Sequence, residues 1–272
     1  MIKLIVSDLD GTLLQKGHHI HDRDRQAIYN ALENGISVCF ASGRMYPEIR
    51  HVMNELELEV PAVSQNGAYV HTAERKLIRQ DTFETSLIKE LAVVALDMPF
   101  VTVMCAPDHY VLTELNERNA HIQANLLAPV HVMPHAVEAL GKELICGKIT
   151  FLGDIEKLLI LQKQLLSAYG GHIDAYVADV DCLDVMPRHI SKGNGLRALQ
   201  EHLGILPEET LCIGDSFNDV SMFATTPHSF AMANSHPDLR AKARYTANGV
   251  ADAIEWALKS VSDKVIGKEG RS

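Results

Sequence analysis

The stretch Ile2–Thr12, IKLIVSDLDGT, places two aspartates directly after a short apolar run. The run has the length and composition of a buried strand, and Asp8 and Asp10 follow at its carboxyl end. A buried carboxylate without a partner is strongly destabilising, so a pair of them at this position requires a partner of opposite charge. The stretch therefore predicts that something cationic is bound where this strand ends.

The segments around this stretch alternate between strand and helix patterns. Residues 1–80 follow a β-α-β-α-β order, and the same kind of alternation returns after residue 187. Strands that are separated by helices pair in parallel through right-handed crossovers. We therefore expect these two segments to form one α/β core with a mostly parallel sheet.

The intervening residues 81–186 have a different pattern. Strand-like runs and helical segments are typical here of an antiparallel sheet with helices on one face. The predicted strands are 101–105, 109–113, 145–152, 172–178 and 181–186, and the predicted helices are 115–127 and 154–168. Since 272 residues exceed the roughly 100–200 residues of one domain, we expect a core (1–80 and 187–272) and an inserted α/β domain (81–186).

The composition excludes several classes of protein. A hydrophobic content of 47% with 22% charged residues is typical of a globular chain, and no apolar run approaches the ~18 residues of a membrane span. No signal peptide is visible, so we expect a cytoplasmic protein. The net charge of −10, without a basic cluster, argues against a nucleic-acid partner. The five cysteines form no CxxC pair and are expected to be buried free thiols.

Polar segments follow the other strands of the predicted core as well. In an open α/β sheet, ligands bind beyond the carboxyl ends of the parallel strands. These segments are therefore expected to converge on one site. They are Ser42-Gly43-Arg44, Asn66-Gly67 and Asp215 to Asp219.

Crowded carboxylates repel one another, and a hard divalent cation is the usual remedy. Mg²⁺ takes oxygen ligands, commonly one or two carboxylates together with water and a substrate phosphate. We therefore expect Asp8 and Asp215 to bind Mg²⁺ directly. The backbone carbonyl of Asp10 is a further candidate ligand, and Asp219 is expected to lie near the metal or one shell out.

Phosphate oxygens require hydrogen-bond donors. Ser42, Lys192 and backbone amides of the glycine-containing turns have the required chemistry. Two residues stay open: Arg44 binds substrate or forms a structural salt bridge, and Asn66 contacts substrate or only forms a turn. The histidines of HHIH (His18, His19 and His21) offer no fourth ligand nearby, so solvated loop residues are favoured over a metal site.

Four motifs resemble those of the haloacid dehalogenase-like (HAD) hydrolases. They are DLDGT at 8–12, ASGR at 41–44, SKG at 191–193 and GDSFND at 214–219. The inserted domain, with QNGA at 65–68, FAMANSHPDLRAKA at 230–243 and NGVADAI at 248–254, resembles the Cof-type branch with its C2B cap. A lone DxDG is also compatible with a calcium loop or a turn, but four motifs in order at strand ends favour this family.

The resemblance covers the core and only the position and rough pattern of the cap. It implies a Rossmann-like core whose Asp8 is a nucleophile that forms an aspartyl-phosphate, with Asp10 as the general acid and base. Such a covalent step divides a difficult hydrolysis into two easier ones. MANS at 232–235 and the short segment from Tyr245 to Gly249 depart from the family pattern, which leaves Asn234 as a weak candidate.

The same resemblance implies a set of binding residues. Ser42 and Lys192 would hold the phosphoryl group, and Asp215 with Asp219 would support Mg²⁺. Asn218 would position the phosphoryl group or Lys192. Positive charge from Lys192 and Mg²⁺ would offset the repulsion between the anionic nucleophile and its anionic substrate.

The sequence thus predicts a Mg²⁺-dependent phosphatase that acts on a small phosphorylated metabolite, such as a sugar phosphate. A phosphomutase with the same intermediate is an alternative, and a phospho-acceptor signalling domain is less favoured because it needs no inserted domain. Specificity is assigned to cap loops, where polarity alone suggests Asp108, His109 and Tyr110. The substrate and the oligomeric state are not predicted.

Overall fold

This computed structural model describes residues 1–15, 19–96, 99–116, 119–120 and 126–269. His18 and most of the predicted helix 115–127 lie outside the described residues. The contacts divide the chain into two compact units: Met1–Gly43, Val52–Arg79 and the chain from Ser191 onward form the first, and Arg44–His51 with Gln80–Ile190 form the second. The sequence-based division had assigned Arg44–His51 to the core.

The elements are numbered along the chain. The strands are β1 (Leu4–Ser7), β2 (Ser37–Ala41), β3 (Ala62–Ser64), β4 (Tyr69–His71), β5 (Leu77–Gln80), β6 (Val101–Cys105), β7 (Tyr110–Leu112), β8 (Val130–Val132), β9 (Lys148–Leu152), β10 (Ile173–Asp179), β11 (Cys182–Pro187), β12 (Thr210–Gly214), β13 (His228–Met232) and β14 (Tyr245–Ala247). The α-helices are α1 (Asp22–Glu33), α2 (Tyr46–Glu55), α3 (Thr85–Leu96), α4 (Ala136–Ala139), α5 (Ile155–Tyr169), α6 (Lys192–Leu203), α7 (Val220–Phe223), α8 (Pro237–Arg240) and α9 (Val250–Glu269). Among the described helices, none combines the length and apolar character that crossing a membrane requires.

The first unit contains an eight-stranded sheet in the order β14-β13-β12-β1-β2-β3-β4-β5. The pairs from β14 to β3 are parallel, and β3 pairs with β4 in the antiparallel direction. The mostly parallel α/β core predicted from the sequence is confirmed. The three apolar residues that begin β1, Leu4 to Val6, are fully buried, as expected for a central parallel strand that is covered on both faces.

The pairing of β1 with β12 decides where the polar loops meet. Ser7 lies beside Ile213 in this parallel pair, so both strands end at the same level. Asp8 follows β1 at once, and its backbone N–H donates to the carbonyl of Ile213 at 3.0 Å. Two chain segments about 200 residues apart in sequence therefore leave the sheet side by side.

The second unit contains a six-stranded sheet in the order β10-β11-β9-β6-β7-β8. Its pairs are antiparallel from β10 to β7, but β7 and β8 are parallel, which the predicted antiparallel sheet did not include. Parallel neighbours require a longer connection than a tight turn, and residues 113–129 separate these two strands in sequence. The short strand β8 and the helices α3 and α4 were also not predicted.

The helical segments after β12 differ in length. A 3-10 turn, Phe217–Asp219, is followed by the single turn of α7, whereas α9 extends from Val250 to Glu269.

An ion pair is buried in the second sheet. Lys148 Nζ lies 2.9 Å from Asp184 Oδ2, with side chains 8% and 7% exposed, and Thr150 donates to Asp184 Oδ1 at 2.6 Å. Burial alone would lower the pKa of Lys148, but attraction to Asp184 outweighs it and raises this pKa above its usual range. The lysine is therefore charged inside the sheet, and Asp184 is one of the groups that stabilise this charge.

Asp184→Asn should destabilise the second unit by about 3–5 kcal/mol, because it removes a carboxylate that stabilises the buried charge of Lys148. Hydrogen exchange of peptides covering β9 and β11 measures this loss. The double variant Lys148→Met/Asp184→Asn also removes the buried ammonium group, and the amide oxygen of the new Asn still accepts a hydrogen bond from Thr150. This double variant should therefore recover most of the free energy of unfolding that the single variant loses. A double variant as unstable as the single one would contradict this account.

Candidate active site

The site lies where β1 and β12 end, in the first unit. Asp8 and Asp219 are 4% and 0% exposed, and the side chain of Lys192 is 1% exposed. Lys192 is the first residue of α6, whose N-cap Ser191 accepts a hydrogen bond from the backbone N–H of Asn194 at 3.2 Å. This cap fixes the start of the helix, so that the lysine side chain begins at a defined point.

Lys192 connects the loop after β1 to the loop after β12. Its Nζ donates to Asp8 Oδ1 at 2.7 Å and to Asp219 Oδ1 at 2.7 Å. Burial alone would lower the pKa of Lys192, but attraction to Asp219 and Asp8 outweighs it and raises this pKa above its usual range. The lysine is therefore a permanent positive charge between two carboxylates.

One lysine does not balance the acidic groups around it. Burial, followed by repulsion from Asp219, raises the pKa of Asp8 well above its usual value, and attraction to Lys192 only partly opposes this. Burial is also the main reason that the pKa of Asp215 is raised. The raised pKa values indicate that these carboxylates would be stabilised by further positive charge.

The carboxylates of Asp8, Asp215 and Asp219 fit a hard divalent cation. One oxygen from each lies within 4.8 Å of the others. Asp219 is already engaged, because its Oδ2 accepts from the backbone N–H of Asp215 at 3.0 Å and of Ser216 at 2.9 Å, in addition to the bond from Lys192. The carboxylate of Asp219 thus accepts hydrogen bonds at both of its oxygens, and Asp8 and Asp215 stay the predicted direct ligands.

The turn after β1 shapes the position of Asp215. Gly11 has φ +78°, and a Cβ there would lie 2.2 Å from Asp215 Oδ2, so glycine is required for both conformation and space. Thr12 Oγ1 donates to Asp215 Oδ1 at 2.8 Å. The sequence analysis did not identify Thr12 as a site residue, although it belongs to the DLDGT motif. The signal that could have indicated it is a hydroxyl group close in sequence to two carboxylates.

A second group of polar residues connects three loops of the first unit. Asn218 Nδ2 donates to Asn66 Oδ1 at 3.0 Å, and the backbone N–H of Asn66 donates to the carbonyl of Ser42 at 2.9 Å. Asn66 has φ +53°, and a Cβ on Gly43 would lie only 3.3 Å from its side chain. The structure links Asn218 to Asn66. The role of Asn218 in positioning the phosphoryl group or Lys192 stays a prediction.

The other candidates of the first unit lie at its surface. Asp10, two residues after the buried Asp8, is exposed, and Asn234 is exposed in the turn after β13. His19 and His21 are exposed, and their ring centroids lie 5.5 Å apart. The interpretation of these two histidines as solvated loop residues stays a prediction.

The remaining candidates belong to the second unit. Arg44 is partly buried there, and its predicted role stays a prediction. The hydroxyl of Tyr110 donates to Glu48 Oε2 at 3.0 Å inside this unit, and burial raises the pKa of Tyr110 above its usual range. His109 stacks on His131 at 4.3 Å. Tyr110 is thus engaged by a carboxylate that the sequence analysis did not single out.

Comparisons with known proteins agree with the resemblance. A family model described as haloacid dehalogenase-like hydrolase matches residues 5–257. The chain is 29% identical over 242 residues to proteins named HMP-PP phosphatase from Escherichia fergusonii and from Escherichia coli K12, covering 89% of this chain and 88% of each relative. These matches confirm the prediction that the chain is a phosphatase.

Solved structures resemble the whole chain. A haloacid dehalogenase-like hydrolase from Bacteroides thetaiotaomicron has a TM-score of 0.83 at 26% identity, covering 94% of this chain and 100% of the other. TM0651 from Thermotoga maritima, at 24% identity, has the same fold with a TM-score of 0.83, covering 94% of this chain and 97% of its own. The chain belongs to the haloacid dehalogenase-like hydrolases, in the Cof-type branch that its motifs predicted.

Proposed function

We propose that this phosphatase hydrolyses a small phosphomonoester through an aspartyl-phosphate on Asp8, with Mg²⁺ as its cofactor. The observation that carries the proposal is the bond of Lys192 to the buried Asp8 and Asp219, with the partly buried Asp215 completing a group of three carboxylates. The relatives named HMP-PP phosphatase support a phosphorylated metabolite as substrate. The absence of a membrane-crossing helix among the described residues is compatible with a cytoplasmic location.

The first half of the reaction transfers the phosphoryl group to the enzyme. A carboxylate oxygen of Asp8 attacks phosphorus, and the bond from phosphorus to the ester oxygen breaks. Lys192 holds Asp8 in place and reduces the repulsion between this carboxylate and the phosphate. Asp10, which is exposed and follows Asp8 by two residues, donates its proton to the departing oxygen.

The second half releases phosphate. Asp10, now a carboxylate, takes a proton from a water molecule whose oxygen attacks the phosphorus of the aspartyl-phosphate. The bond from phosphorus to Asp8 breaks, and inorganic phosphate leaves with Asp8 restored. Asp10 is protonated again at the end, so the cycle balances.

The remaining polar residues orient the phosphoryl oxygens. Mg²⁺, held by Asp8, Asp215 and the backbone carbonyl of Asp10, would supply positive charge at the oxygens that become more negative as the bond breaks. Ser42, with the backbone amide of Gly43, is assigned to phosphate binding beside Lys192. Asn66 and Asn218 hold this loop through their mutual hydrogen bond.

Phosphate release should depend on a divalent cation. A set of sugar, nucleotide and pyridoxal-type phosphates, assayed for inorganic phosphate, should give turnover with Mg²⁺ and none after treatment with EDTA. Ca²⁺ should restore activity poorly, because its larger and looser coordination misplaces the phosphoryl group. Full turnover in EDTA would contradict the metal assignment. Transfer to a second hydroxyl without release of phosphate would identify a mutase.

Asp8→Asn should reduce turnover by about 10⁴-fold or more while the fold is kept, because an amide does not attack phosphorus. Steady-state phosphate release and circular dichroism measure the two effects. Asp22→Asn, which removes an exposed carboxylate in the first turn of α1, is the matched control and should keep wild-type turnover. Substantial activity in Asp8→Asn would rule out Asp8 as the nucleophile.

Asp10→Ala should separate the two halves of the reaction. Nitrophenolate leaves without a proton, so this variant should release a burst of about one nitrophenol per active site and then turn over slowly. A sugar phosphate needs the proton for its poor leaving group and should give no comparable burst. Stopped-flow absorbance and quenched phosphate assays measure both. Equal losses on the two substrates without a burst would make Asp10 a structural residue.

A further inference from the structure

An exposed phenylalanine lies within the loop that carries the acidic cluster. Phe217 is 57% exposed, and it begins the 3-10 turn Phe217–Asp219. It is two residues from Asp215 and two from Asp219, so chain geometry keeps its Cα within about 7 Å of theirs. The loop that carries Asp215 and Asp219 therefore also carries an exposed aromatic side chain.

The backbone on both sides of Phe217 is fixed. The N–H of Ser216 donates to Asp219 Oδ2 at 2.9 Å, and the side chain of Asn218 donates to Asn66 at 3.0 Å. The turn is thus held by the same residues that shape the site. Burial of Phe217 contributes little to the stability of the fold, yet the position of this residue is defined. An exposed side chain in a defined position is typical of a preorganised contact surface.

A second ring stands next to the first. The ring of His236 lies 5.7 Å from that of Phe217 at an interplanar angle of 48°. Its Nδ1 accepts the backbone N–H of Asp238 at 3.2 Å at the start of α8, and its side chain is 60% exposed. The two exposed rings, Phe217 and His236, come from the loops after β12 and β13, which are neighbouring parallel strands. We call them the ring pair.

We propose that the ring pair selects phosphomonoesters whose organic group contains a planar aromatic or heteroaromatic ring, with Phe217 as the specificity-determining residue. Planar rings bind to exposed aromatic side chains by offset or edge-to-face stacking, which a saturated ring does not reproduce. The inference rests on the proposed function, because it places the substrate phosphate at the cluster of Asp8, Asp215 and Asp219. It adds the chemical class of the group attached to that phosphate.

Benzyl phosphate and cyclohexylmethyl phosphate form a matched pair of probes. Both are primary alkyl phosphates with seven carbons, so their leaving groups are similar, and they differ in the planar ring. In the wild type with Mg²⁺, the KM for benzyl phosphate should be about tenfold lower, with kcat within about twofold. Phe217→Ala should bring the two KM values together. Phe217→Leu, which keeps apolar bulk without a planar face, should do the same.

Leu206→Ala is the control, because Leu206 is 59% exposed and lies outside the site. This variant should keep the tenfold preference. Equal KM values for both esters in the wild type, or an unchanged preference in Phe217→Ala, would overturn the inference while Mg²⁺-dependent turnover left the proposed function standing.

Calorimetric titration of Asp8→Asn with each ester separates the inference from the chemistry. This variant should bind benzyl phosphate about tenfold more tightly than cyclohexylmethyl phosphate, and Phe217→Ala added to it should remove the difference. If the wild type hydrolyses neither ester, the proposed function fails for this class. Equal binding of the two esters would then overturn the inference independently.

Discussion

Excess negative charge at the ends of two adjacent parallel strands governs this structure. Asp8 and Asp219 share the ammonium group of Lys192, and Asp215 adds a third carboxylate within 4.8 Å. Desolvation makes such a group unfavourable on its own, and one lysine does not neutralise it. In the proposed function, a divalent cation would offset this excess of negative charge. The cation and Lys192 together would then attract the anionic phosphoryl group.

The fold brings these charges together from distant parts of the chain. The parallel register of β1 and β12 sets Asp8 beside the loop of Asp215, and α6 places Lys192 between them. Gly11 and Thr12 then fix the Asp215 carboxylate, the first by leaving space and the second by donating a hydrogen bond. Each of these features is local, but the site exists only when the sheet has formed.

The sequence was most informative where chemistry and topology coincide. An apolar run that ends in DLDGT predicts both a central strand and the need for positive charge, and GDSFND and SKG predict which residues supply the rest of the site. The partner of Asn218 was not predictable, because a side-chain amide has several acceptors in reach and only the folded loops select Asn66. The ion pair of Lys148 with Asp184 was also not predictable from the sequence. The two residues lie on the neighbouring strands β9 and β11, and no motif specifies the register of these strands. The parallel pairing of β7 with β8 was not predicted for a similar reason. The edge strand β8 is short and largely exposed, so its three residues give little hydrophobic pattern from which to predict a strand.

The central claim is that Asp8 becomes phosphorylated during turnover. The most direct measurement is acid quenching of the Asp10→Ala variant during reaction with ³²P-labelled nitrophenyl phosphate and Mg²⁺, followed by peptide mapping of the label. The account predicts one acid-stable, hydroxylamine-sensitive phosphoryl group per chain, on the peptide that contains Asp8, and no label when Asp8→Asn is added. Turnover without protein-bound phosphate, or label on a different residue, would contradict it.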